Sequence, residues 1–313
     1  MAERGAIAIL GPTASGKTAV AVEVSRLLDG EVISMDSRQV YRGMDIGTAK
    51  PAPAERGGIP HHGFDLVEPG ERYSAGRFAR DAWQWINSIR GRGRVPVLAG
   101  GTGFFLRALT HPMFDEPDAS AGVREAIKRQ LDTFAPERLV RWADALDPEG
   151  GWAQGRAGGR QRAARAVEIA LRTGRPLSWW QKQQPRGRIL QPLTFVLELP
   201  RDVLYDRINR RVDAMVDAGL VGEVMRLRER GYKAADPGMN ATGYVEVLRY
   251  LDGEVDLDTA VEQIRAATRR YARRQLTWLR HQVPEDAVRL DAALPAGQLA
   301  AQIVAHWRET EEM

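Results

Sequence analysis

The chain has 313 residues, of which 43% are hydrophobic and 27% are charged, and its formal net charge is +4. These values are typical of folded globular proteins and exclude a disordered or collagen-like chain. Cysteine is absent, which excludes disulfides, thiolate metal sites and cysteine nucleophiles. No segment has the pattern of a signal peptide or is apolar for long enough to span a bilayer. We therefore expect a cytoplasmic protein without membrane contact.

Strand and helix patterns alternate along the first hundred residues. Apolar runs predict buried strands at residues 6–10, 31–36 and 95–99. Apolar residues at helical spacing predict one helix that ends near Gly30 and another at residues 74–90. This alternation predicts a parallel sheet that is covered by helices on both faces.

The strand pattern disappears after residue 115 and returns at residues 193–199. Between them we predict helices at residues 122–134, 136–146, 160–172 and 176–183. After the returning strand we predict helices at 201–218, 221–230, 243–251 and 257–281, a strand at 288–291 and a terminal helix. We therefore expect a core made of residues 1–114 and 193–313, with a helical insertion at 115–192.

A glycine-rich segment joins the first predicted strand to the first helix. Residues 11–18, GPTASGKT, match the P-loop pattern G-x-x-x-x-G-K-[ST]. Gly11 and Gly16 allow the backbone N–H groups to face one anion, Lys17 adds a positive charge, and Thr18 can bind Mg²⁺. The fold class is therefore α/β, a P-loop NTPase-like doubly wound parallel sheet. The loop recognises a di- or triphosphate, and a nucleotide such as ATP is the commonest bearer of one. The predicted phosphate-binding residues are Gly11, Thr13, Ala14, Ser15, Gly16, Lys17 and Thr18.

Asp36 follows the second predicted strand. Because the carboxyl ends of parallel strands meet at one edge, we expect this carboxylate near the P-loop. A magnesium ligand, a general base and a helix N-cap remain equally compatible with its position. The third strand ends in Gly100, Gly101, Thr102 and Gly103 and offers no second acid of the kind that nucleotide hydrolases use. This turn lets a second substrate approach the backbone, unless it is only a strand-to-helix connection.

Two segments are rich in arginine. Residues 265–280 hold six arginines and no acid, with Arg265, Arg269 and Arg273 on one i, i+4 stripe of a predicted helix. Residues 156–175 hold six arginines and the single acid Glu168. A solvated face is the alternative for each segment. Two such clusters in a protein with a phosphate site favour a nucleic-acid partner.

His61 and His62 follow Pro60 in a segment that we predict to be a loop. Paired histidines without nearby acid or cysteine ligands are weak support for a metal site.

Several of these motifs occur together in one family. The sequence contains GPTASGKT, MDSRQVYRGMDIGTAKP, IPHHGFDLVEP, VPVLAGGTGFFLRAL and RRQLTWLRH in this order. It resembles the bacterial tRNA dimethylallyltransferases from about residue 7 to residue 280. The resemblance implies transfer of a dimethylallyl group to N6 of the adenine at position 37, 3′ of the anticodon, in tRNAs reading codons that begin with U. Dimethylallyl pyrophosphate, rather than ATP, would then occupy the P-loop.

The resemblance also implies roles for individual residues. Asp36 would be the general base on the adenine amino group, and Thr102 would help to hold that amine. Lys17, Thr18 and a Mg²⁺ cofactor would stabilise the leaving pyrophosphate, with Arg211 as a further ligand. The implied tRNA-binding residues are Asp36, Ser37, Arg38, Gln39, Thr102, Arg124, Arg162, Arg165, Arg269 and Arg273. We expect a monomer with tRNA and dimethylallyl pyrophosphate as its partners.

One segment departs from the family pattern. Where the family usually has Asn-Asp-x-x-Arg, this chain has Gly158 and Gly159 followed by Arg160, Gln161 and Arg162. The departure changes the residues available there for capping and tRNA contact, while Arg162 and Arg165 keep their places.

Two other functions would also use a P-loop. A small-molecule kinase or adenylate prenyltransferase would have no use for the arginine-rich helix, and an RNA-binding NTPase would carry out no transfer.

Overall fold

The computed structural model describes residues 2–3, 5–111, 121–152, 159–183 and 189–312. The strands are β1 (Ala2–Glu3), β2 (Ile7–Leu10), β3 (Gly30–Met35), β4 (His61–His62), β5 (Val95–Gly100), β6 (Ile189–Leu190), β7 (Leu193–Glu198) and β8 (Val288–Asp291). The helices are α1 (Lys17–Leu27), α2 (Ala75–Gly91), α3 (Gly103–Thr110), α4 (Ala121–Asp132), α5 (Pro136–Leu146), α6 (Arg160–Thr173), α7 (Leu177–Lys182), α8 (Arg201–Asp217), α9 (Leu220–Glu229), α10 (Tyr244–Leu251), α11 (Leu257–Gln282) and α12 (Ala296–Glu312).

The chain divides into two compact units. One comprises Met1–His111 and Ile189–Met313, and the other comprises Pro112–Arg188. The first unit contains a six-stranded parallel sheet in the order β4-β3-β5-β2-β7-β8, and a separate short pair, β1 and β6. In the second unit, the described residues form α4 to α7 and one short 3₁₀ turn at Pro148–Gly150, and no strand.

The sheet separates two hydrophobic cores in the first unit. Ala8 and Leu10 of β2 point to one face, where residues of α2 and α3 pack. Ile7 and Ile9 point to the other face, where α1 and α12 pack. Since successive side chains of a strand alternate between faces, the continuous apolar run of β2 is buried on both sides. The predicted doubly wound parallel sheet is therefore confirmed.

Three short strands differ from the sequence-based expectation. His61 and His62, which were expected in a loop, form β4 and pair in parallel with Val32 and Ile33 of β3. Strands β1 and β6 lie where no strand pattern was found. All three strands have only two residues, and a strand this short has no measurable alternation in its sequence. Within the described residues, no helix combines the length and the apolar character that a membrane crossing requires.

Candidate functional site

The P-loop curls between β2 and α1. Ala14 and Gly16 both have positive φ, at 64° and 89°, and Gly16 is the N-cap of α1. A Cβ on Gly11 would lie 2.6 Å from the Ser15 hydroxyl oxygen and 3.2 Å from the backbone oxygen of Leu197. Glycine is therefore needed at position 11 for close packing and at position 16 for backbone conformation. The loop leaves the start of α1 free to face an anion.

Two cationic side chains lie at this loop. The Lys17 ammonium donates to the Pro12 carbonyl at 2.6 Å, and the Arg211 guanidinium donates to the Thr13 hydroxyl at 3.3 Å. Burial, together with the positive charge of Arg211, lowers the pKa of Lys17 to about 7, although the negative charge of Asp36 opposes this shift. Burial also lowers the pKa of Arg211. Both cations are poorly solvated, so a bound anion would gain more from them than from exposed cations.

Asp36 and Thr102 are brought together at the ends of neighbouring strands. Met35 of β3 is in register with Gly100 of β5, and the Thr102 amide donates to the Met35 carbonyl at 3.2 Å. The Ser37 amide donates to the Thr102 hydroxyl at 3.2 Å. Asp36 lines the same cavity as Lys17 and Arg211. The structure therefore places the predicted carboxylate beside the P-loop, while its role as a base stays a prediction.

Gln275 of α11 connects the P-loop to the glycine turn, and the sequence analysis did not single it out. Its side-chain oxygen accepts from the Thr13 amide at 2.8 Å, and its side-chain nitrogen donates to the Gly101 carbonyl at 3.1 Å. A Cβ on Gly101 would lie 2.2 Å from that nitrogen, which explains the glycine. The sequence feature that could have identified Gln275 is a polar residue on the buried face of an amphipathic helix, within the motif RRQLTWLRH.

Tyr271 lies one turn before Gln275 and was also missed. It lines the cavity, and its hydroxyl lies near enough to the Thr102 side chain for that side chain to lower its pKa. Burial and the charge of Asp36 raise the pKa of Tyr271 to about 12, so the phenol stays protonated at neutral pH. A protonated phenol at this position can donate a hydrogen bond toward Thr102.

Replacing Tyr271 by phenylalanine should lower the single-turnover rate of the reaction at this site by roughly 2- to 10-fold, the usual effect of one lost hydrogen bond. Rapid-quench measurements with saturating substrates would test this. Tyr250→Phe on α10 is a matched control, because Tyr250 does not line the cavity. An unchanged rate in the Tyr271 variant would show that Thr102 needs no partner from α11.

Arg38 and Gln39, two of the implied tRNA-binding residues, are hydrogen-bonded within the protein. The Arg38 guanidinium donates to the Pro237 carbonyl at 2.8 Å and to the Asn240 side-chain oxygen at 2.9 Å. The buried Gln39 amide accepts from the Ser34 hydroxyl at 2.9 Å and donates to the carbonyls of residues 48 and 49 at 3.2 and 3.1 Å. These bonds fix the segment after Asp36, and contact of either residue with tRNA stays a prediction.

The arginine stripe of α11 is partly paired. Arg265 forms ion pairs with Asp213 of α8 and Glu262, so acids from outside residues 265–280 relieve its repulsion. Arg269 donates to the Asn209 side chain at 2.7 Å, and Arg273 is exposed. The exposed part of the stripe therefore lies toward its C-terminal half.

Three arginines of the second unit pair with one acid. Glu168 forms ion pairs with Arg124 at 3.4 Å, Arg165 at 2.9 Å and Arg172 at 3.1 Å. Arg162 is exposed at the start of α6, where Gly159 is the N-cap and provides no side-chain hydrogen bond. Gly158 lies outside the described residues. The tRNA contacts implied for Arg124, Arg162 and Arg165 stay predictions.

The paired histidines have separate partners. His61 Nδ1 hydrogen-bonds to the Ile59 carbonyl at 2.8 Å, and His62 Nε2 hydrogen-bonds to the buried Glu31 carboxylate at 2.7 Å. In the part of the chain that the structure describes, no group of three or more His, Cys, Asp or Glu residues could hold a metal ion on its own. His61 lines the cavity and His62 does not.

Comparisons with known families agree along most of the chain. A family model described as IPP transferase matches residues 39–282, and one described as isopentenyl transferase matches residues 5–60. A tRNA dimethylallyltransferase of Halorhodospira halophila is 46% identical over 290 residues, which cover 91% of this chain and 92% of that protein. One of Geobacillus kaustophilus is 42% identical over 307 residues, covering 97% of this chain and 95% of that protein.

Solved structures show the same likeness. The full-length tRNA isopentenylpyrophosphate transferase of Bacillus halodurans is 37% identical and has a TM-score of 0.71, with 99% of each chain covered. A eukaryotic dimethylallyltransferase acting on tRNA is 27% identical, with a TM-score of 0.75 over 93% of this chain and 74% of that chain. Sequence and backbone thus point to the same family.

Proposed function

The chain belongs to the IPP transferase family, and we propose that it transfers a dimethylallyl group from dimethylallyl pyrophosphate to N6 of adenine 37 in tRNA. Adenine 37 lies 3′ of the anticodon, and the substrates are tRNAs that read codons beginning with U. The main support for this proposal is one cavity that is lined by Asp36, by Lys17 of the P-loop and by Arg211 of α8. One substrate would bring a pyrophosphate to the loop, and the other an amine to the carboxylate.

The proposed reaction is a substitution at the allylic carbon. The N6 amine forms a bond to C1 of the dimethylallyl group, and the bond from C1 to the pyrophosphate oxygen breaks. Pyrophosphate leaves with the electron pair, and Asp36 accepts the proton that the amine loses. Thr102 fixes the amine, and its own hydroxyl accepts from the Ser37 amide and lies near the Tyr271 hydroxyl. The target base has to be flipped out of the anticodon loop to reach the cavity.

The leaving group gains negative charge as the allylic bond breaks. We infer that Lys17, Arg211 and the amides at the start of α1 face the place where this charge develops, so they would stabilise the transition state more than the ground state. The exposed Thr18 hydroxyl, which lines the cavity with Asp36, is an oxygen ligand of the kind that Mg²⁺ accepts together with phosphate oxygens and water. A magnesium ion held there would neutralise further charge on the pyrophosphate.

The remaining assignments follow from the substrates. We assign tRNA binding to the half-buried Arg269, to the exposed arginines of α11 and to Arg162 of α6. We infer from the tRNA substrate that the reaction takes place in the cytoplasm. An assay with tRNA, labelled dimethylallyl pyrophosphate and Mg²⁺ tests the proposal, with a tRNA that carries guanosine at position 37 as the control. Label in the adenosine tRNA alone would support the assignment, whereas tRNA-stimulated ATP hydrolysis without labelling would favour an NTPase.

Replacing Arg269 and Arg273 together by alanine should weaken binding of every tRNA and reduce the slope of log affinity against log salt concentration. Each phosphate contact releases counterions when tRNA binds, so every contact that is lost should reduce the slope by about 0.7 to 0.9. Fluorescence titrations at several salt concentrations measure this slope. Arg226 and Arg308, which are exposed on α9 and α12, provide the control double variant with the same change of charge. If the slope falls equally in both variants, α11 is not part of the tRNA-binding surface.

Affinity for dimethylallyl pyrophosphate should fall as the pH rises from 7 to 9. The pKa of Lys17 is about 7 in the free protein, and a bound anion must raise it, so binding above pH 7 takes up a proton. The ligand's own charge changes little in this range, because phosphate groups lose their last proton near pH 6. Calorimetry in buffers of different ionisation enthalpy would detect the proton. Lys17→Arg should abolish the pH dependence, and a pH-independent wild-type affinity would contradict the lowered pKa.

A further inference from the structure

A buried carboxylate on α9 lies outside the reacting groups described above. Glu223 is 3% exposed and accepts four hydrogen bonds. One oxygen accepts from the amides of Asp45 at 2.9 Å and Ile46 at 2.8 Å. The other accepts from the amide of Gly47 at 3.1 Å and from the Tyr244 hydroxyl at 2.5 Å. Three consecutive backbone amides therefore converge on one side chain, whose sequence position is more than 170 residues away.

These bonds fix the backbone of residues 45–47. A buried carboxylate is costly unless its charge is hydrogen-bonded, and successive amides form a favourable site for an anion. Burial and the charge of Glu223 raise the pKa of Tyr244, so its phenol remains a donor. A Cβ on Gly47 would lie 2.5 Å from the Tyr244 ring, so the segment packs directly on this tyrosine. Glu223 and Tyr244 thus hold one side of the segment in a single conformation.

The next two residues of the segment form part of the cavity wall. Thr48 and Ala49 line the cavity that also contains Asp36 and the P-loop lysine. Their carbonyls accept from the buried Gln39 amide, and Ala49 has a positive φ of 48°. A non-glycine residue in this conformation persists only where its surroundings hold it. Gln39 holds the wall from one side and Glu223 holds the residues that precede it.

We propose that Glu223 is a positioning residue that fixes residues 45–49 as the wall against which the dimethylallyl group of the bound pyrophosphate lies. This proposal rests on the proposed function. The cavity is lined by the apolar residues Val32, Ala49 and Phe64 as well as by the cations Lys17 and Arg211, so it offers apolar contacts to the organic group and charge to the pyrophosphate. Glu223 therefore governs recognition of the organic group, and the P-loop governs recognition of the pyrophosphate.

The Glu223→Gln variant separates these two kinds of recognition. Whichever way the glutamine amide turns, two of the four donors lose their acceptor, because an amide has one oxygen where a carboxylate has two. The dissociation constant for dimethylallyl pyrophosphate should rise about tenfold. The inhibition constant for inorganic pyrophosphate should stay unchanged, since that ligand has no organic group to touch the wall. Glu229→Gln, an exposed change on the same helix, should alter neither constant.

A second variant keeps the proposal testable if the first one folds poorly. Tyr244→Phe removes one of the four donors to Glu223 and leaves the ring beside Gly47. It should raise the ratio of the dissociation constant for dimethylallyl pyrophosphate to the inhibition constant for inorganic pyrophosphate, by a smaller factor than Glu223→Gln. Both constants describe the folded fraction, so partial unfolding alone would leave the ratio unchanged. An unchanged ratio in both variants, with normal transfer by the wild-type protein, would overturn this proposal alone. Absence of transfer by the wild-type protein would instead overturn the proposed function.

Discussion

Asp36→Asn is expected to lower the single-turnover rate of prenyl transfer by roughly 10²- to 10⁴-fold, the usual contribution of a general base. Asparagine keeps the shape of the side chain, and its oxygen can still accept from the Arg38 amide as Asp36 does at 2.8 Å. It cannot accept the proton of the N6 amine. The affinity for tRNA should change little, because the neighbouring hydrogen bonds are kept. Rapid quench with enzyme in excess separates the chemical step from binding.

The matched control is the same substitution at the other end of the same strand. Asp29 directly precedes β3, whereas Asp36 directly follows it, and Asp29 is 79% exposed in its side chain. Asp29→Asn removes the same charge and should leave the rate unchanged. A near-normal rate in the Asp36 variant would assign this carboxylate to structure, as a partner of the Arg38 amide, and the base would have to be sought elsewhere.

Lys17→Ala should lower kcat/KM for dimethylallyl pyrophosphate by roughly 10²- to 10³-fold, the range found when one donor to a developing anion is removed. The loss should appear in kcat as well as in KM, because the negative charge on the pyrophosphate grows as the allylic bond breaks. Steady-state kinetics at saturating tRNA measure both parameters. Lys17→Arg should recover part of the loss, since it restores a cation at the loop.

Lys233→Ala is the matched control for the lysine variant, because Lys233 is exposed and does not line the cavity. Its kinetics should equal those of the wild type. If Lys17→Ala raised KM and left kcat unchanged, Lys17 would bind the ground state and the transition state equally. Stabilisation of the leaving group would then have to come from Arg211 and the loop amides.

The parts of the site that could be predicted from the sequence are those made by residues close together in the chain. The P-loop is one segment of eight residues, and its function depends on a turn between a strand and a helix. Asp36 could be placed near it because the carboxyl ends of parallel strands share an edge. Buried apolar runs likewise predicted β2, β3, β5 and β7 with end positions within one residue of the structure.

The parts that were missed depend on contacts between distant residues. Gln275 bonds to Thr13, which is 262 positions away, and no local pattern indicates that pairing. One of the two acids that pair with Arg265 lies on α8, 52 positions earlier, so residues 265–280 alone overstated the repulsion along α11. The strand at His61–His62 exists because its backbone pairs with β3, and pairing of two residues leaves no periodic pattern.

The proposed function requires that the P-loop hold an allylic pyrophosphate whose organic group is transferred to tRNA. Mass spectrometry of nuclease-digested tRNA, after incubation with the protein, dimethylallyl pyrophosphate and Mg²⁺, detects this transfer. We expect one added dimethylallyl group on the adenosine 3′ of the anticodon, with release of pyrophosphate. Unmodified tRNA, together with steady tRNA-stimulated hydrolysis of ATP, would contradict it.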